Sequence, residues 1–395
     1  MKTIFNGENN HNLLEIFRLL YFKNHKKSKE TINSKILNYH SNEFKISFFT
    51  AGRCALYKIL SSLNYNKTFK VAIQAFTCSV IPKAILDAGG LPIYVDIEID
   101  SLSMDLKEIK KKIKEIDVVV LQYTFGITPK YLSNIAYLCK KNSKIFILDK
   151  AHCMPEKVSE EVKFLESHAY GIFYSTDHTK ALNAVRGGIC LTKKNLIPSH
   201  LISKKIDPRI PFLYESIFYK ESLYIFARIF SSLMKIFAIS YMPKDDSDTR
   251  ILSNEIFVSS WYTLVLEQLN NSEIRNYEVT KFSDKLRKLI KKNKSCISLI
   301  KNSSATSLLR FPILFNSKKD KLKFLNSLSE NQIKISDWFG GVLTCSKKDY
   351  KNYYYKFGDC PVAENIAYRV LGIPCNRRFR DKTFLKKLTK VLKTI

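Results

Sequence analysis

From residue 45 onward, short apolar runs alternate with longer stretches whose apolar residues recur every three or four positions. The runs at 46–49, 71–75, 91–95, 118–123 and 145–148 have the length and continuity of buried strands. Between them, 52–63, 79–88, 106–114 and 131–141 each keep one apolar face and read as helices. Strands alternating with amphipathic helices predict an α/β fold, a mostly parallel central sheet flanked by helices. Runs at 171–174 and 189–191 enclose a polar loop and predict strand, loop, strand. After Leu191 the alternation stops. Residues 193–249 form an insert, in which 212–242 is rich in Phe, Tyr, Ile and Leu while Lys220, Glu221, Arg228 and Lys235 fall on one side of a helical wheel. That apolar face needs a cover, either burial against its own domain or a partner subunit, or peripheral docking on an anionic membrane surface. A helix over 251–269 leads into a smaller α+β domain with a strand at 307–312 and helices at 318–328 and 360–371. The organisation expected is therefore an N-terminal arm (1–44) and large domain within 1–250, and a small C-terminal domain over 251–395.

Composition narrows the class. Apolar residues make up 45% and charged residues 26%, as in an ordinary globular protein. The net charge of +29 would suit nucleic acid, an anionic membrane or a phosphorylated substrate. The lysines, however, come in scattered doublets such as Lys140-Lys141 and Lys291-Lys292, with no zinc-finger, RNA-binding or basic-zipper pattern, so no nucleic-acid partner is expected. Nine cysteines at irregular spacings, several within apolar runs, point to reduced thiols in a cytoplasmic protein and to no metal site. The first ten residues lack the apolar core of a secretory signal, and charges interrupt every stretch long enough to span a membrane.

Candidate chemistry lies where the strands end, the edge at which open parallel sheets bind ligands. Lys180 sits in the loop after 171–174 with Ser175 just upstream; a lysine and a hydroxyl so placed could hold an aldehyde cofactor by its carbonyl and its phosphate. Lys180 alone would pass for a surface cation. Gly52 opens a helix, where backbone N–H groups and the helix dipole suit a phosphate, although an ordinary glycine turn reads the same way. Asp149 directly follows a buried strand, a costly place for a carboxylate unless it is used. It reads as a helix N-cap or as the partner of a protonated pyridine nitrogen, with His152 close enough to touch the ring.

The ordered set Ala51-Gly52-Arg53-Cys54-Ala55-Leu56, Ala75-Phe76-Thr77-Cys78, Leu148-Asp149-Lys150-Ala151-His152, Tyr174-Ser175-Thr176-Asp177-His178-Thr179-Lys180 and Arg186-Gly187-Gly188 resembles the sugar-nucleotide aminotransferases of the DegT/StrS type. These are fold type I pyridoxal-phosphate enzymes. Cys360 to Pro374 resembles their late helix and following turn. The resemblance implies that Lys180 bonds the cofactor covalently and then moves protons, that Asp149 pairs with the pyridine nitrogen, and that His152 lies near the ring. It places Arg53, Cys54 and Ser175 at the phosphate, beside the helix start at Gly52, and Cys78 on the cofactor face, where many members carry an aromatic ring. Asn254 would reach the phosphate of a neighbouring subunit in a homodimer, and Ile256 stands near a position where arginine is common. The implied activity moves an amino group from an amino acid, glutamate by expectation, to a keto sugar on a nucleotide, in surface-glycan biosynthesis. Relatives that deoxygenate sugars carry histidine in place of the lysine, so Lys180 favours transamination. The alternatives are a fold type I enzyme acting on a non-sugar substrate and a non-catalytic binding or regulatory protein on the same scaffold.

Overall fold

The computed structural model describes residues 25–193, 196, 204–206, 248–252, 255–257, 260–292, 296–301, 308–377 and 379–393. The elements run α1 (His25–Tyr39), β1 (Lys45–Phe49), α2 (Gly52–Ser61), β2 (Phe69–Gln74), α3 (Val80–Asp87), β3 (Gly90–Val95), β4 (Ile97–Glu98), β5 (Ser103–Met104), α4 (Leu106–Lys112), β6 (Val118–Gln122), α5 (Leu132–Lys141), β7 (Ile145–Asp149), α6 (Glu160–Ser167), β8 (Gly171–Ser175) and β9 (Gly188–Thr192). They continue with β10 (Lys204–Ile206), α7 (Thr249–Leu252), β11 (Glu255–Phe257), α8 (Ser260–Asn270), α9 (Ser272–Lys292), β12 (Ile297–Leu299), β13 (Arg310–Phe315), α10 (Lys318–Glu330), α11 (Pro361–Ala367), β14 (Val370–Pro374) and α12 (Lys382–Leu392).

The central sheet has seven strands in the order β1-β9-β8-β7-β6-β2-β3. Strands β8, β7, β6, β2 and β3 are parallel, while β9 runs antiparallel to β8 and β1 antiparallel to β9. All five residues of β6, β8 and β9 are buried, which is why these strands read as unbroken apolar runs rather than alternating ones. Two consequences position the site. The carboxyl ends of the parallel strands share one edge, and the reversed β9 brings its amino end there, with Ser175 opposite Gly188. Phe49 at the end of β1 also pairs with Gly188, so the start of α2 arrives at the same edge.

A second sheet, β12-β13-β14, is antiparallel and packs with α9, α10 and α12 around buried Phe311, Phe315, Phe324 and Phe384. Three expectations are corrected in this part of the chain. The helix expected over 251–269 is α7, then β11, then α8, because 255–257 pairs with the distant strand 204–206, a partner that local periodicity cannot register. The helix expected over 360–371 ends at Ala367, and the five fully buried residues of β14 pair with β13 instead. The strand expected at 307–312 is β13, three residues later, its register set by Arg310 opposite Pro374 and Phe315 opposite Ile297. The amphipathic stretch 212–242 and Asn254 lie outside the described residues. Among those described, no helix is long and apolar enough to cross a membrane.

Candidate active site

A cavity of about 440 Å³ opens at the carboxyl edge of the large sheet, lined by Gly52, Arg53, Cys78, Ser175, Lys180 and Arg186 among others. A larger cleft of about 570 Å³, between the end of α1 and α6, includes none of these residues. Close approach of backbone builds the first cavity. A Cβ on Gly52 would stand 3.0 Å from the Ser175 Cβ, and one on Gly188 would stand 2.5 Å from the Ala51 carbonyl oxygen. Glycine at these two positions therefore lets α2 begin against the ends of β8 and β9. Ala51, the N-cap of α2, has no side-chain acceptor to offer the first turn. Helix-start N–H groups lack intrahelical partners and carry the positive end of the dipole, so Gly52 and Arg53 on the cavity wall suit an anion. Cys54 is fully buried in the core, which leaves its backbone alone for such a role.

Lys180 is held by its loop. Asp177 Oδ1 accepts hydrogen bonds from the Thr179 N–H at 3.0 Å and the Thr179 hydroxyl at 2.9 Å, and the Lys180 N–H donates to the Asp177 carbonyl at 2.9 Å. Although burial opposes ionisation of Asp177, the neighbouring His178 and Lys180 and the Thr179 N–H hold its carboxyl well below the ordinary range. The Lys180 ammonium lies 4.5 Å from the centre of the Trp338 ring, within cation–π range.

Asp149 ends β7 only 4% exposed. Burial pushes its carboxyl up to about 6, against the lowering influence of the Ala151 N–H, which donates to Oδ1 at 2.9 Å, and of Lys180. No lysine or arginine forms an ion pair with it among the described residues. A protonated ring nitrogen would supply the counter-charge that burial calls for. His152 is equally deep: its Nδ1 accepts the Phe125 N–H at 3.1 Å, and burial, with Lys180 and Arg310 nearby, lowers its basicity well below the ordinary value. It is thus a neutral imidazole carrying its proton on Nε2. The ring stacks on Phe125, with centroids 6.2 Å apart and planes 16° from parallel, and lies 5.0 Å from Trp338.

The structure thus gathers Gly52, Arg53, Cys78, Ser175 and Lys180 on one cavity and sets Asp149 and His152 close to Lys180. Sequence reasoning missed Trp338 and Thr344 and gave no role to Arg186, noted only within its motif; all three line the same cavity. Thr344 donates to the Cys78 sulfur at 3.3 Å and accepts the Ser79 N–H at 3.0 Å, tying the segment between α10 and α11 to the start of α3. Trp338 is one of two tryptophans in the chain, the one signal that could have marked it. The donor set fits pyridoxal phosphate: an aldehyde-seeking lysine, a buried carboxyl for the ring nitrogen, and a helix start with a hydroxyl for the phosphate.

Fold and site together define a fold type I scaffold of the pyridoxal-phosphate enzymes. More narrowly, the chain belongs to the DegT/DnrJ/EryC1/StrS aminotransferase family, whose profile matches residues 6–203 and 263–392. It is 23% identical over 149 residues to the GDP-perosamine synthase of Vibrio cholerae and 22% identical over 157 residues to the dTDP-4-dehydro-2,3,6-trideoxy-D-glucose 4-aminotransferase of Saccharopolyspora spinosa. These matches cover 37% and 36% of this chain and span only 39% and 41% of the two relatives. Among solved structures, the Escherichia coli GDP-4-keto-6-deoxy-D-mannose-3-dehydratase with bound hydrated PLP superposes with a TM-score of 0.70 at 13% identity, covering 99% of this chain and 100% of that one.

Proposed function

We propose that this protein is a pyridoxal-phosphate aminotransferase that moves an amino group from an amino acid, glutamate by preference, to a keto sugar carried on a nucleotide diphosphate for surface-glycan biosynthesis in the cytoplasm. The observation that carries the reading is Lys180, held by the Asp177 loop on the cavity wall, with the buried Asp149 beside it. Bound here, the cofactor supplies an aldehyde that takes up the donor's amino group and a protonated ring that draws off the electrons released when the α-hydrogen leaves as a proton.

The chain's residues do the rest. The Lys180 amine would hold the cofactor by its carbonyl and, when free, would move a proton at its Nζ to and from the substrate carbon. Asp149 keeps the ring nitrogen protonated. His152, neutral and pinned through Nδ1 by the Phe125 N–H, presents its Nε2–H as a fixed donor near the ring. Trp338, backed by Phe339, Phe125 and Phe76, sets an aromatic cluster beside Lys180. The fold is shared with a dehydratase, so it does not choose the reaction; the lysine at position 180 does, since it can both bind the carbonyl and return the proton. The enzyme works as a homodimer, in which Asn254 of one copy reaches the phosphate in the other.

The test is transfer of label. Incubation with ¹⁵N-glutamate and a panel of nucleotide-linked keto sugars is expected to place ¹⁵N on one sugar. Label that moves only to keto acids, or loss of a sugar hydroxyl without amination, would refute the reading.

A further inference from the structure

We infer that Trp338 is the positioning residue for the Lys180 amine, its indole ring being the seat that holds the ammonium whenever that lysine is free. The role rests on the reading of Lys180 as the residue that bonds pyridoxal phosphate. The Lys180 ammonium lies 4.5 Å from the centre of the ring, and both residues line the cavity. Among the described residues no carboxylate comes within ion-pair distance of that ammonium. Asp149 and Asp177 sense its charge through space alone. The ring is therefore the group in place to hold the cation.

A ring suits a lysine that must leave its partner and return. Bonding to an aldehyde joins Nζ to the carbonyl carbon and expels the carbonyl oxygen as water with two of the ammonium's hydrogens; the third hydrogen and the positive charge stay on nitrogen. A carboxylate deserted by that move would be left as an unpaired buried charge, whereas a deserted indole face is neutral. Arg310, whose guanidinium carbon lies 4.9 Å from the centre of the same ring, draws on the same π electrons and keeps the seat shallow.

The seat itself is fixed. The Trp338 ring centre lies 5.0 Å from those of His152 and Phe339 and 6.4 Å from that of Phe125. Its backbone is tied on both sides. Lys321 of α10, only 1% exposed, donates to the two carboxylate oxygens of Asp337 at 2.8 and 2.9 Å, and the Trp338 N–H donates to the Ser336 carbonyl at 3.0 Å. Beyond the ring, the Val342 carbonyl accepts the Thr77 N–H at 2.9 Å and the Tyr350 hydroxyl accepts the Val342 N–H at 3.1 Å.

The test compares two ligands in full-length protein stripped of cofactor. Pyridoxal phosphate draws Lys180 off the seat, whereas pyridoxamine phosphate carries an amine in place of the aldehyde and leaves the lysine free. Trp338→Leu removes the π face, so it should tighten pyridoxal phosphate roughly 3- to 30-fold, the scale of one cation–π contact, and leave pyridoxamine phosphate within about twofold on the same scale. A wall residue that merely packed on the ligand would weaken both. The ratio of the two dissociation constants is the readout, and a ratio that stays put or moves the other way overturns the proposal. In a Lys180→Ala background the same substitution should leave the ratio unmoved; an undiminished shift there would assign Trp338 to the ligand and overturn the seat. Should the Leu variant not fold, Trp338→Phe keeps a weaker π face and should move the ratio about twofold or more in the same direction, and no movement refutes the role. Wild-type protein that takes up pyridoxal phosphate with no link to Lys180 that borohydride can fix would refute the cofactor reading and the seat with it, whereas a link to Lys180 with an unmoved ratio refutes the seat alone.

Discussion

A carboxyl group buried at the end of a strand with one N–H for company is a liability, and Asp149 is such a group. Without a counter-charge its neutral form is favoured up to about pH 6, against an ordinary value of 3.8. The sign follows directly: the stabilising contribution of the neutral acid is complete below pH 3.8 and is lost as pH rises through 6. The cofactor-free protein should lose on the order of 3 kcal/mol of stability across that interval, and Asp149→Asn should abolish that part of the pH dependence. In the loaded enzyme the same substitution should retain cofactor but slow turnover roughly 10²-fold or more, as expected for removing a positioned charge. Parallel urea titrations at pH 4 and 7 with steady-state rates check both; an unchanged rate would reduce Asp149 to a loop-forming residue. Asp149 was legible in the sequence because a strand-end carboxylate stands out locally. Trp338 was not: it reaches Lys180 from the far end of the chain, and nothing near it in sequence marks the contact.

Elements of the large sheet are joined from behind the site by a buried network that periodicity could not foresee. Lys150, the residue after Asp149, donates to Glu166 of α6 at 2.8 Å, and Tyr123 after β6 donates to the same oxygen at 3.0 Å. His40, just past α1, lies 3.0 Å from the other oxygen and 2.8 Å from the Tyr174 hydroxyl of β8. Burial works against ionisation of Glu166, yet Lys150 and His40 bring its carboxyl down to about 2. Lys150→Met strips the cation and strands a buried carboxylate, so it should cost about 3–5 kcal/mol in unfolding free energy. Adding Glu166→Gln should recover much of that loss; a double variant no more stable than the single would dissolve the pairing. The seven strands of the central sheet and helices α2 to α5 were legible because each carries its own period and length, whereas the short β4, β5 and α6 were not read. Those near 255 and 370 were not, because a distant pairing partner decides whether a short apolar run becomes strand or helix.

At the scale of the whole molecule, the alternation of strand and helix announced a parallel sheet, and one edge of that sheet now collects residues separated by up to 294 positions, Thr50 and Thr344. The homodimer proposed here makes a prediction at this scale. If Asn254 completes the partner's site, mixing inactive Lys180→Ala with an inactive Asn254 variant should regenerate activity in hybrid dimers, and no recovery would count against shared sites. The most direct test of the central claim, that Lys180 holds an aldehyde cofactor at this edge, is borohydride reduction of the purified protein followed by peptide mapping. The account predicts a yellow protein that bleaches and a pyridoxyl group fixed to Lys180 alone, absent in Lys180→Ala. A colourless protein that takes up no pyridoxal phosphate, or a label on any other lysine, would contradict it.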